Sequence, residues 1–89
     1  MPRFIAVVEL SPAALEDLAG PRERFDQVRG YLARRGIQLD RTFPLDGPHH
    51  LLVLESHDSP TRLLNRALAQ AWPEPTQRPG HARLVSTAL

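Results

Sequence analysis

Residues 36–55, GIQLDRTFPLDGPHHLLVLE, decide the fold. Ile37, Leu39, Arg41 and Phe43 alternate with Gln38, Asp40 and Thr42. That period of two predicts a half-buried strand, at the edge of a sheet. Pro44-Leu-Asp-Gly-Pro48 is turn chemistry. His49-His-Leu-Leu-Val-Leu-Glu55 then reads as a second strand, joined to the first as a hairpin. Its centre, residues 51–54, is apolar on both faces, as a central strand requires.

Each side of this hairpin carries a helix and then a strand. Upstream, Phe25, Val28, Tyr31 and Leu32 share one helical face, and the charged residues fall mostly elsewhere. Pro21 suits the first turn of this helix, and Gly36 suits its C-cap after Arg34-Arg35. Gly30 inside it predicts close packing on the sheet, because a mid-helix Gly is otherwise unfavourable. Before it, Ser11-Pro12 predicts an N-cap and a short helical turn through Leu15 and Leu18. Phe4-Ile-Ala-Val-Val-Glu-Leu10 opens the chain as an apolar, β-branched strand. Downstream, Asp58-Ser59-Pro60 predicts an N-cap with Pro at the first helical position. Leu63, Leu64, Ala67, Leu68 and Ala71 form that helix's apolar stripe; Trp72 closes it and Pro73 stops it. Residues 73–80 read as a loop. Residues 81–88 read as a last strand, with Ala82, Leu84 and Ser86 on one face and Arg83, Val85 and Thr87 on the other.

The order is therefore β, α, β, β, α, β. Right-handed crossovers turn that order into a ferredoxin-like α+β sandwich, a four-stranded antiparallel sheet with both helices on one face. Residues 1–89 are one domain of this kind. The first and third strands fall at the centre, and both are apolar on two faces. Two helices cover one face only, so Ile5 and Val7, or Leu52 and Leu54, need another cover. A second copy meets that need, and the expectation is a homodimer packed sheet to sheet.

Composition excludes several classes. The absence of Cys rules out a disulfide, a thiolate metal site and a Cys nucleophile, and suits a reducing cytoplasm. Arg3 precedes only a short apolar run that Glu9 ends, which is not a secretory leader. No stretch approaches the ~18 apolar residues of a membrane span. A net charge of +1 gives no pointer to nucleic acid or an anionic membrane. All eleven basic residues are Arg, in a chain rich in Pro, Leu and Ala, as in the proteins of GC-rich bacterial genomes.

The arrangement resembles the dimeric α/β-barrel group and, within it, the GYD-domain family. The likeness rests on Ser11, Pro21-Arg22, Arg35-Gly36, Gly47, and the apolar strand 51–54 ending in Glu55. At the start of that strand stands Gly47-Pro48-His49-His50, without the family's Tyr and Asp, so the likeness is to a divergent member or a sibling family. A second small family on this fold has a late helix ending in Trp, which Trp72 resembles. The resemblance implies a pocket between sheet and helices. It leaves function open, because the group includes monooxygenases, isomerases and haem-handling and stress-response proteins.

Within such a pocket, Phe25, Tyr31, Phe43 and Trp72 are the candidate aromatic lining. Arg41, placed on the same face as Leu39 and Phe43, is the candidate to hold a carboxylate or phosphate. His50 and Glu55 are the candidate catalytic groups. His49, His50, His57 and His81 lack any metal-ligand spacing, and neighbouring His49 and His50 point to opposite faces of a strand, so no metal site is expected. Glu9 and Glu55 end antiparallel strands and fall at opposite edges of the sheet. No cofactor motif and no Ser-His-Asp order is present. The reading that fits best is a homodimeric small-molecule binding or sensor domain acting on an apolar ligand. The alternatives are a cofactor-independent oxygenase- or isomerase-like enzyme and a structural interaction module.

Overall fold

The computed structural model describes residues 2–15, 20–72 and 82–88. Its elements run β1 (Arg3–Leu10), α1 (Pro12–Leu15), α2 (Gly20–Ala33), β2 (Gln38–Pro44), β3 (His49–Glu55), α3 (Thr61–Ala71) and β4 (Ala82–Ala88). The predicted loop 73–80, together with Leu18 and His81, lies outside the described residues. The strands form one antiparallel sheet in the order β2-β3-β1-β4, so the two strands that are apolar on both faces do stand at its centre. The fold is the ferredoxin-like α+β sandwich. No helix among the described residues is long and apolar enough to cross a membrane.

Local chemistry explains the helix ends. The Ser11 hydroxyl accepts a hydrogen bond from the Ala14 N–H at 3.1 Å, a regular N-cap. Helix α2 closes through Gly36, whose φ of +80° only glycine adopts without strain. The Ile37 N–H reaches the Leu32 carbonyl at 3.0 Å, and the Gly36 N–H reaches Ala33 at 3.2 Å, which is a Schellman closure. At α3 the expectation is corrected. Pro60 occupies the N-cap itself, with no side-chain cap, and the Ser59 hydroxyl meets the Thr61 hydroxyl at 3.1 Å instead. Gly30 is corrected too: a Cβ there would meet only the tip of Arg34, at 3.9 Å, so sheet packing does not demand it.

Both long helices cover the face that carries Ala6, Val8 and Leu10 of β1 and Leu52 and Leu54 of β3. From above, α2 contributes Phe25, Val28 and Leu32, and α3 contributes Leu64, Ala67, Leu68 and Ala71 at helical spacing. Leu52 and Leu54 are fully enclosed, and each such burial stabilises the fold by roughly 1.5–3 kcal/mol. The opposite face carries Ile5, Val7, Leu51 and Val53, of which Ile5 is 44% exposed.

Two bulges change which face several residues occupy. Leu39 pairs with Leu54, but Arg41 pairs with Val53, so Asp40 is an extra residue in β2. Strict alternation predicts Leu39, Arg41 and Phe43 on one face. Past Asp40 the alternation inverts: Arg41 opposite Val53 and Phe43 opposite Leu51 lie on the open face. In β4, Val7 pairs with Ser86 and Val8 with Leu84, leaving Val85 as the extra residue. Ser86 therefore leaves the side of Ala82 and Leu84, and Thr87 takes the helix side, where its hydroxyl meets that of Thr61 at 3.4 Å.

Candidate functional site

Strand parity separates the two adjacent histidines. His49 stands opposite Glu9 on the open face, its Nε2 3.4 Å from the Glu9 carboxylate. His50 stands opposite Val8 and Pro44 on the helix-facing side. There its ring packs on Phe25 of α2, with centroids 5.2 Å apart and planes tilted by 41°. Phe25 also meets the ring of Trp72, just past α3, edge-on at 5.1 Å. Phe25 and Trp72 are almost wholly enclosed, whereas the His50 side chain is half-buried. Elements distant in sequence thus meet at one end of the sheet, where β1 ends and β3 begins.

Two polar atoms in this cluster, His50 Nδ1 and Trp72 Nε1, are buried and have no hydrogen-bond partner among the described residues. Burying a polar group without a partner costs about 1–3 kcal/mol. Burial also lowers the His50 pKa from its ordinary value, because desolvation disfavours the imidazolium. Beside them, Arg24 spans from α2 to donate to the Ala71 carbonyl at 3.0 Å, one residue before Trp72. That bond occupies a carbonyl in the last turn of α3 and brings positive charge to the negative helix end.

The five candidate ligand contacts do not gather in one place. Phe25 and Trp72 touch in the cluster just described. Tyr31 is buried farther along α2; its ring is covered by the Arg35 guanidinium at 3.6 Å, and Arg35 also donates to the Tyr31 carbonyl at 2.9 Å. Arg41 and Phe43 are on the far side of the sheet, both exposed, because the bulge at Asp40 inverts them. There they line a shallow groove of about 590 Å³ with Arg3, Asp40, Val53 and Glu55. Arg41 therefore does not border the space between sheet and helices, which corrects the expectation from alternation.

Glu55 faces the open side, where Arg3 donates to it at 3.1 Å. Glu9 lies at the other end of β1, as the antiparallel register requires. His57 is exposed, and His81 lies outside the described residues. Among the described residues, no three His, Asp or Glu side chains gather as a metal site would need.

Sequence reasoning missed two features. Asp40 has one carboxylate oxygen, Oδ2, buried at the bulge with no hydrogen-bond partner among the described residues. No Gly or Pro marks that bulge. Arg24 crosses 47 positions in sequence to reach Ala71, and no local pattern signals so long a contact. The Arg35–Tyr31 pair, by contrast, sits at i, i+4 across the C-terminal end of α2, a spacing legible in the sequence. No protein-family model matches the chain, and no curated protein emerges as a relative.

Proposed function

We propose that this protein is a homodimeric small-molecule binding domain, with its ligand held where Phe25, His50 and Trp72 meet. The observation that carries the reading is the pair of buried, unpartnered polar atoms, His50 Nδ1 and Trp72 Nε1, on two rings that share Phe25. A packed core has no use for such atoms, whereas a binding site uses a few polar groups in an apolar wall to orient its ligand. The dimer is supported by the uncovered sheet face, where Ile5 is 44% and Phe43 40% exposed. On the likeness of fold and face, the same proposal places the chain beside the dimeric α/β barrels, and the lack of Cys favours a reducing cytoplasm.

Native mass spectrometry of the purified protein tests this reading. A dimer with retained mass in each subunit supports it. A bare monomer sinks the dimer and leaves the open face to be covered from within the chain.

A second reading has its own observation. His50 is kept neutral by burial, the form a general base needs, which favours an isomerase-like or oxygenase-like proton abstraction from a bound substrate. Loss of turnover in His50→Gln with binding retained is the result that distinguishes it.

A further inference from the structure

We infer that the groove between α2 and α3 docks an acidic segment of a partner protein, with a Glu or Asp carboxylate held on the Arg34 guanidinium. The groove is on the outer side of the helical layer, so it stays exposed when the open sheet face is covered. It needs nothing of the Phe25–His50–Trp72 cluster.

Gln27, Gly30, Tyr31 and Arg34 fall at i, i+3, i+4 and i+7 along α2 and its C-terminal end. Ala67, Gln70 and Ala71 form the matching stripe of α3, and the two stripes border a groove of about 300 Å³. Its floor is low: Ala67 and Ala71 are buried, and a Cβ on Gly30 would meet nothing nearer than Arg34, at 3.9 Å. A mid-helix Gly costs ~1 kcal/mol against Ala, and sheet packing does not account for this one. An open groove floor does.

Arg34 is fixed at the wall. Its Nε–H donates to the Gly30 carbonyl at 3.2 Å, which leaves the other N–H donors of the guanidinium for an incoming group. Among the described residues the ion pairs lie elsewhere, and no carboxylate holds Arg34. A planar guanidinium oriented in this way suits a carboxylate. Arg35, set on the Tyr31 ring at 3.6 Å, and exposed Arg66, one turn before Gln70, add positive charge. Helix α2, its Arg34-Arg35 end and α3 hold seven of the eleven Arg of the chain but two of its ten acids, Glu23 and Asp26. Asp26 is already paired with Arg29 at 2.7 Å, and Glu23 stands one turn before Gln27, at the end away from Arg34. Charge complementarity therefore selects an acidic occupant. Gln27 and Gln70 offer donors and acceptors, which match a peptide backbone, whereas phosphates call for donors alone. From Gln27 to Arg34 the helix rises about 10 Å, room for about three extended residues.

The experiment is a titration of the ¹⁵N-labelled full chain at low salt with acetylated, amidated hexaglutamate, following the Gly30 amide and the Arg34 Nε–H. Hexaglutamine and a hexamer of thymidylate are run beside it. The expected result is a saturable shift of both resonances with hexaglutamate, at an affinity at least roughly tenfold above that of hexaglutamine. Gly30→Leu fills the floor and changes no charge. It is expected to cut that affinity at least roughly tenfold without lowering the melting temperature, and Arg34→Gln is expected to cut it likewise. Equal affinity for the two peptides, or shifts confined to other residues, overturns the inference. Native-like binding by folded Gly30→Leu overturns the groove and leaves only diffuse charge. Tighter binding of the thymidylate hexamer at the same resonances overturns the acidic peptide in favour of a phosphate backbone. The shift map on the unsubstituted chain decides without any variant having to fold.

Discussion

Arg29, in the middle of α2, donates its Nε–H to the carbonyl of Leu39 at 3.0 Å, immediately before the bulge residue Asp40. A second donor of the same guanidinium holds Asp26 at 2.7 Å, one turn earlier on the helix. The helix thereby anchors the edge strand at the point where its alternation inverts. Leu39 stays beneath the helices while Arg41 and Phe43 turn to the open face.

Deleting Asp40 removes the extra residue and makes Leu39 opposite Leu54 and Arg41 opposite Val53 consecutive pairs, so Leu39, Arg41 and Phe43 keep their faces. The expected outcome is a chain that still folds cooperatively with a regular β2. Arg29→Met keeps the aliphatic stem and loses the bond to Leu39, with an expected cost of about 1 kcal/mol. Urea denaturation followed by circular dichroism measures both.

Gly30 inside α2 and Gly36 just past its end are expected to respond in opposite directions. Gly36→Ala places a side chain at φ +80° and is expected to destabilise by about 1 kcal/mol. Gly30→Ala adds a Cβ that meets nothing closer than Arg34 at 3.9 Å, and is expected to stabilise by up to ~1 kcal/mol through helix propensity. Thermal melts of the two variants beside the native protein decide the signs.

The lowered His50 pKa makes stability depend on pH. Between the ordinary imidazole value of 6.5 and the lowered folded value, the unfolded chain binds the proton and the folded chain does not. Unfolding free energy is therefore highest above 6.5, falls as pH drops through that window, and levels off below the folded pKa. His50→Phe is expected to remove this component of the slope. Denaturant titrations of both proteins at a series of pH values measure it.

The facing-sheet dimer predicts a clean response to charge on the open face. Ile5 lies in central strand β1, opposite Val53 and 44% exposed. Ile5→Lys is expected to yield a folded monomer, with melting that no longer depends on protein concentration. Light scattering after size-exclusion chromatography, run on native and variant chains, reads the mass directly. An unchanged mass in the two proteins means that this face is not the interface.

The strands, the helices, their order and the central places of β1 and β3 are legible in the chain, because each depends on periodicity and capping within a few neighbours. The split of His49 from His50 is legible for the same reason, since adjacent residues of an unbroken strand must face opposite ways. The faces of Arg41, Phe43 and Ser86 are not. They depend on one extra residue in each edge strand, and a bulge is set by pairing with a partner strand and by contacts such as Arg29 to Leu39. Nor does any local pattern bring Phe25, His50 and Trp72 together, or show that two of their nitrogens are buried without partners. Local sequence determines secondary structure because those interactions span a few residues. The candidate site belongs to tertiary structure because three elements, far apart in the chain, must pack before its polar atoms lose water.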